Sequence, residues 1–194
     1  MKAVILAAGL SKRFGGKKLL MKIEGKPMVC HVADLVSTMG FKQMILVYSD
    51  EEIRKAVRES IPAAGFTFLY NKDAELGLST SIKLALEPDT PEGVIFFMGD
   101  QPFLDKATVI KLLEAFYLKK GSIIVPVYGE NRGNPVIFSG KWTGRLKTLT
   151  GDVGGRVIMR EYPEEVYEVR LDHIRPGRDI DTQEEFNAFL KERN

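Results

Sequence analysis

The chain has a single cysteine, Cys30, a single tryptophan and two histidines in 194 residues. One thiol can form neither an intramolecular disulfide nor a cysteine metal cluster. His31 shares a helical stretch with Cys30, but no third ligand stands at metal-binding spacing. A packed cysteine and a partly exposed histidine are expected there. His173 has no serine or cysteine motif to serve, and no Gly-x-Ser-x-Gly elbow occurs. Excess charge is also missing: 28 Lys and Arg against 26 Asp and Glu leave +2. So even a balance argues against nucleic acid or a membrane surface as partner. No apolar run approaches the roughly 20 residues that a spanning helix needs. The chain opens on a strand-like segment without a leader pattern. A reduced, cytoplasmic, soluble protein is the expectation. Repeats, low-complexity runs and linkers are absent too, and residues 1–194 read as one domain.

Short apolar runs alternate with helical patterns. Strands are predicted at Ala3–Leu6, Met44–Tyr48, Phe66–Tyr70, Val94–Met98, Ile123–Val127, Val136–Phe138 and Val166–Val169. Most are continuously apolar, as parallel strands covered on both faces are. Pro27 is placed to start a helix whose apolar face carries Met28, Val32, Leu35, Val36 and Met39, with Gly40 ending it. Asp50 and Asp105 are predicted caps for the next helices, the second running towards Lys120. After Val127, the segment Tyr128–Pro135 reads as a turn, so an antiparallel excursion is expected. Helical stretches are predicted at Lys141–Leu149, Val153–Glu161 and Thr182–Arg193. The alternation describes an α/β fold with a doubly wound, mostly parallel sheet.

Ligands of such sheets bind beyond the carboxyl ends of the strands. The first strand ends in Leu6-Ala7-Ala8-Gly9-Leu10-Ser11-Lys12-Arg13-Phe14-Gly15-Gly16-Lys17-Lys18. Small residues let a ligand approach the backbone and leave amides free to donate. The four cations add charge and, in Arg13, a fork that matches phosphate. A P-loop is excluded because Gly16-Lys17 precedes Lys18 instead of Ser or Thr. A dinucleotide fingerprint is excluded because no glycine follows Gly9 until Gly15. What is left is Leu-Ala-Ala-Gly-x-Ser-x-Arg-x-Gly-x-x-Lys, a loop suited to a polyphosphate.

Four further clusters stand out. Phe96-Phe97-Met98-Gly99-Asp100-Gln101-Pro102 delivers a carboxylate at a strand end, where it suits a magnesium ion that takes one or two carboxylates plus phosphates. Asp179-Ile180-Asp181 precedes the last helix; Asp181 is the expected second metal ligand, and capping by Asp181 or Thr182 is the competing role. Gly77-Leu78-Ser79-Thr80-Ser81 opens a helix, and its hydroxyls and free amides suit a ribose or base edge. A helix cap by Ser79 is the competing role. Gly151-Asp152-Val153-Gly154-Gly155-Arg156 reads as a second anion site.

In this order, together with Gly133-Asn134-Pro135, the segments resemble the MobA-like nucleotidyltransferase family along nearly the whole chain. Ala8 before Gly9, and Gly99–Phe103, resemble the branch of molybdenum cofactor cytidylyltransferases; the guanylyl branch usually opens Leu-Ala-Gly-Gly. Lys17-Lys18 departs from the Pro-Lys of isoprenoid-pathway cytidylyltransferases, and Phe14 stands where the family often has Met. The resemblance implies a GT-A-like three-layer α/β/α fold. It implies magnesium-dependent transfer of CMP from CTP to the phosphate of molybdopterin, with release of pyrophosphate. The N-terminal half would bind nucleotide and the C-terminal half the acceptor. Arg13, Lys18 and Asp100 would be catalytic. Leu6, Ala7, Ala8, Gly9, Lys18, Ser79 and Ser81 would bind nucleotide. Gly151, Asp152, Gly154 and Arg156 would bind the acceptor, and Asp100 and Asp181 the metal. A molybdoenzyme or its chaperone is the implied recipient. The alternatives are another acceptor, a sugar phosphate or phosphorylated alcohol, and a non-catalytic protein that binds nucleotide and delivers cofactor.

Overall fold

Strand and helix alternate as the apolar pattern predicts. The computed structural model describes residues 1–9, 17–87, 92–172 and 185. The chain runs through β1 (Lys2–Ala7), a hairpin of β2 (Lys22–Ile23) and β3 (Lys26–Pro27), α1 (Met28–Ser37), β4 (Gln43–Tyr48) and α2 (Glu51–Ser60). It continues through β5 (Phe66–Tyr70), α3 (Leu78–Ala85), β6 (Gly93–Met98), α4 (Lys106–Tyr117) and β7 (Ile123–Tyr128). Then follow β8 (Asn131–Arg132), β9 (Val136–Ser139), α5 (Thr143–Lys147), α6 (Arg156–Glu161) and β10 (Val166–Leu171).

Side chains of a strand point alternately to opposite faces, and β1 shows what that builds. Ala3, Ile5 and Ala7 enter one core, with Val29, Val32 and Val36 of α1, Ile53 and Val57 of α2, and Val109 and Leu112 of α4. Val4 and Leu6, with Ala8 just beyond, enter the other, with Ile82 and Ala85 of α3, Leu146 of α5, and Ile158 and Met159 of α6. Helices thus cover both faces of one sheet, giving the expected three layers. Asp50 caps α2 by accepting from Glu52 N at 2.9 Å, and Asp105 caps α4 by accepting from Thr108 N at 2.7 Å.

The strand order is β10-β7-β9-β6-β1-β4-β5, with β8 paired to β7. β1 pairs in parallel with β4 and β6, β4 with β5, and β7 with β10. β9 is antiparallel to both β6 and β7. It is the excursion foreseen after Val127.

Several boundaries differ from the sequence reading. Pro27 lies in β3, one residue before α1. α1 ends at Ser37, and Gly40, at φ +70°, turns the chain three residues later. The β2–β3 hairpin was not expected. Its two-residue turn, Glu24-Gly25, has φ +53° and +78°, the signs that a type I′ turn requires. Val153, Gly154 and Gly155 stay outside α6, because glycine disfavours helix. The expected helix Thr182–Arg193 lies outside the described residues, save Glu185. His31 sits over the hairpin, its Nε2 2.8 Å from the carbonyl of Ile23. Cys30 is fully buried.

Candidate active site

The parallel strands β5, β4, β1 and β6 all end at one edge of the sheet. From β1 the chain first moves to β4 on one side and later to β6 on the other. That reversal opens a crevice at the carboxyl ends of β1 and β6. The described ends of the basic loop, Leu6–Gly9 and Lys17-Lys18, lie there, as does Gly99-Asp100.

They meet in an ion pair. Lys18 Nζ is 2.8 Å from Asp100 Oδ2. Lys18 opens a 3-10 turn, Lys18–Leu20, and is only 6% exposed. Asp100 follows β6, with 22% of its side chain exposed. Gly99 explains the approach. Its amide donates to Leu6 O at 3.0 Å, and a Cβ there would stand 3.2 Å from that oxygen and 3.3 Å from Ala7 Cβ. A side chain there would make β6 and β1 give by a few tenths of an ångström, so glycine suits this close approach. A cation this buried is costly unless paired, and Asp100 supplies a counter-charge at the crevice. The preceding Lys17 is left-handed, at φ +47°, and its Nζ spans both Glu52 oxygens at 2.7 and 2.8 Å. That contact draws a hydrogen bond and a neighbouring negative charge onto Lys17, which raise its pKa.

The other expected segments gather at the start of α3. Gly77 is its N-cap, at φ +104°. The sequence reading placed free amides at this helix start, and the structure corrects it. Leu78 N donates to Asp152 Oδ1 at 3.3 Å, Ser79 N to Gly151 O at 3.2 Å and Thr80 N to Gly77 O at 3.2 Å. The glycines at 151 and 77 bring two backbones together, so the first amides are satisfied by the chain. The Ser79 hydroxyl is 1% exposed by residue and has no hydrogen-bond partner among the described residues. Ser79 does not cap the helix.

Asn71 escaped the sequence reading. It follows β5, is buried, and its Nδ2 donates to Thr80 Oγ1 at 2.9 Å and Ser81 Oγ at 2.8 Å. Its Oδ1 accepts from Asp73 N at 3.0 Å, and its own amide donates to Tyr48 O at 2.7 Å. An asparagine directly after an apolar strand was the available signal, because a buried amide must be paired. Ser49 behaves similarly: its hydroxyl donates to Ala8 O at 3.1 Å, tying the end of β4 to the start of the basic loop.

Leu6 and Ala7 are the last paired residues of β1, while Ala8 and Gly9 lie beyond the ladder. Arg156 is the first residue of α6. Arg13, Asp179 and Asp181 lie outside the described residues. Among the described residues, no three His, Cys, Asp or Glu side chains gather into a metal cage. One partly exposed carboxylate at the crevice fits a magnesium ion that draws its other oxygens from phosphate and water, not an all-protein site. The described residues contain no helix long and apolar enough to cross a membrane.

Solved structures share this fold. Rv0371c from Mycobacterium tuberculosis H37Rv has TM-score 0.83 and 27% identity, covering 98% of each chain. The same protein in complex with manganese gives TM-score 0.76 at 26% identity, over 98% of this chain and 97% of that one. A "Probable molybdenum cofactor guanylyltransferase" of Aquifex aeolicus is 31% identical over 172 residues, 84% of this chain and 80% of that protein. A "Nicotine blue oxidoreductase" of Paenarthrobacter nicotinovorans is 27% identical over 197 residues, 96% of this chain and 95% of that protein. Of the bifunctional protein GlmU of Thermoanaerobacter pseudethanolicus, 32% identical over 126 residues, the chain spans 26%. Residues 3–166 match the MobA-like NTP transferase domain, and the chain belongs to that nucleotidyltransferase family.

Proposed function

We propose that the chain transfers CMP from CTP to the phosphate of molybdopterin and releases pyrophosphate. The observation that carries this reading is the buried Lys18 held 2.8 Å from Asp100 at the sheet's switch point. In the transfer, an acceptor phosphate oxygen attacks the α-phosphorus of CTP. The bond from that phosphorus to the bridging oxygen breaks, and its electrons leave with pyrophosphate. Such a reaction needs in-line positioning and neutralised charge rather than a protein nucleophile. Asp100, with Asp181, would hold magnesium, which when bound neutralises phosphate charge. Lys18 then moves from a carboxylate to a phosphate without becoming an unpaired buried cation. Lys18 and Arg13 stabilise the charge that grows on pyrophosphate. Leu6 to Gly9 bring backbone to the nucleotide, and Ser79 and Ser81 lie on its base and ribose side. Gly151, Gly154 and Arg156 serve the acceptor side. A molybdoenzyme or its chaperone would receive the product.

Ala8 favours CTP over GTP, since the guanylyl branch usually has glycine there. The relative named nicotine blue oxidoreductase covers almost the whole chain, and suggests electron transfer as a second reading. The loop after β1 lacks a dinucleotide fingerprint, which favours nucleotidyl transfer.

Transfer of label from α-labelled CTP, and separately GTP, to molybdopterin in the presence of magnesium tests the reading. Label from CTP alone is expected in a molybdopterin product. Equal use of GTP would undo the choice of nucleotide. No label from either, with magnesium-dependent CTP binding intact, would remove molybdopterin as acceptor.

A further inference from the structure

We infer that Asp152 is a positioning residue for the nucleotide side of the site, although its segment reads as acceptor-binding in the sequence. The inference rests on the proposed nucleotide site at the start of α3. Three contacts join residues 151–154 to that helix. Leu78 N donates to Asp152 Oδ1 at 3.3 Å, and Ser79 N donates to Gly151 O at 3.2 Å. Side by side with them, Gly154 lies so near Leu78 that a Cβ would stand 3.0 Å from its Cδ2. Gly77 packs even closer: a Cβ there would stand 2.4 Å from both Asp152 N and Gly151 C. The two loops are therefore packed backbone to backbone.

The charge agrees with the geometry. A carboxylate at a helix N-terminus is stabilised by the end amide that it accepts from and by the helix dipole. The same carboxylate would repel an anionic acceptor phosphate. Asp152 thus fits the role of holding Leu78 and Ser79 in place better than that of touching an acceptor. Ser79 carries the buried hydroxyl that lacks a partner among the described residues, so its placement is what a ribose or base would read. Through this contact, the loop that serves the acceptor also sets the pocket for the nucleotide.

The test is calorimetric binding of CTP to the full chain with magnesium and no acceptor. Asp152→Ala should weaken CTP about five-fold, the size of one lost cap. Asp152→Asn keeps an oxygen acceptor and should stay within about two-fold of the wild type. Gly154→Ala presses on Leu78 from the other side and should weaken CTP in the same direction, which keeps the idea testable if Asp152→Ala does not fold. Exchange of the Leu78 amide in the ligand-free protein reads the cap directly: protection should fall in Asp152→Ala and persist in Asp152→Asn. Unchanged CTP affinity in Asp152→Ala and Gly154→Ala, with KM for the acceptor raised instead, overturns the inference and leaves the nucleotide reading standing. A wild type that binds neither CTP nor GTP overturns both.

Discussion

Lys18 and Asp100 are 82 positions apart in the chain, and their Nζ and Oδ2 atoms are 2.8 Å apart in the fold. One follows β1 and the other β6, and the two strands are neighbours in the sheet. Removing the cation leaves the carboxylate at the crevice without this partner and the pyrophosphate charge without a donor. Lys18→Ala is expected to lower the rate of nucleotidyl transfer by about 100-fold or more, the size of one lost transition-state donor. Label transfer under saturating nucleotide checks it; an unchanged rate would remove Lys18 from the chemistry.

Asp100→Asn keeps the shape of the side chain and removes its charge. Transfer should nearly cease, with the residual activity needing more magnesium than the wild type does. A magnesium titration of the rate reads this directly. The same half-saturating concentration in both proteins would exclude Asp100 as a metal ligand. Because the ion pair of Lys18 with Asp100 is lost too, a lower stability is expected alongside, measurable as an earlier urea midpoint.

Gly77 combines φ +104° with packing so close that a Cβ there would stand 2.4 Å from Asp152 N and Gly151 C. Gly77→Ala is expected to cost about 1–3 kcal/mol from the dihedral alone, with the collision adding to it. Gly65 has open space around a Cβ and no left-handed φ, so Gly65→Ala is the matched control and should be near neutral. Urea unfolding of the two variants compares them, and equal midpoints would contradict the packing at α3.

Trp142, the single tryptophan, reports on a part-buried chain of hydrogen bonds. Its Nε1 donates to Ser122 Oγ at 2.9 Å, and Ser122 donates to Glu165 Oε2 at 2.6 Å. Lys141, 2.6 Å from the other Glu165 oxygen, and then Ser122 hold the Glu165 carboxyl below its ordinary value of 4.5. A depressed carboxylate adds stability above its unfolded pKa, and that contribution fades as pH falls through the folded value. Trp142 emission should therefore hold steady from neutral pH to about 4.5 and shift below it. In Glu165→Gln that acid step should be missing. An acid step that persists unchanged in Glu165→Gln would break the link.

Much of the layout is legible from residue patterns. Continuous apolar runs identify the strands of the parallel sheet because both faces are covered, and strand ends then locate the site. Phe66–Tyr70 matches β5 at both ends, and Asp50 and Asp105 cap as their positions predict. The helices after β9 are less legible. Gly154 and Gly155 shorten α6, and a 3-10 turn, Gly140–Trp142, precedes α5; short glycine-rich segments follow packing rather than propensity.

At the site the division has a similar cause. Residue type and order along the chain determined the family, the basic loop after β1, and Asp100 at the end of β6, because those depend on local pattern. Three things were decided by the tertiary structure alone: the pairing of Lys18 with Asp100, the use of the α3 amides by Gly151 and Asp152, and the clasp of Asn71 on Thr80 and Ser81. Each joins elements that are distant in sequence or in different layers. Which buried polar group meets which is set by how strands and helices pack, and no spacing along the chain encodes it.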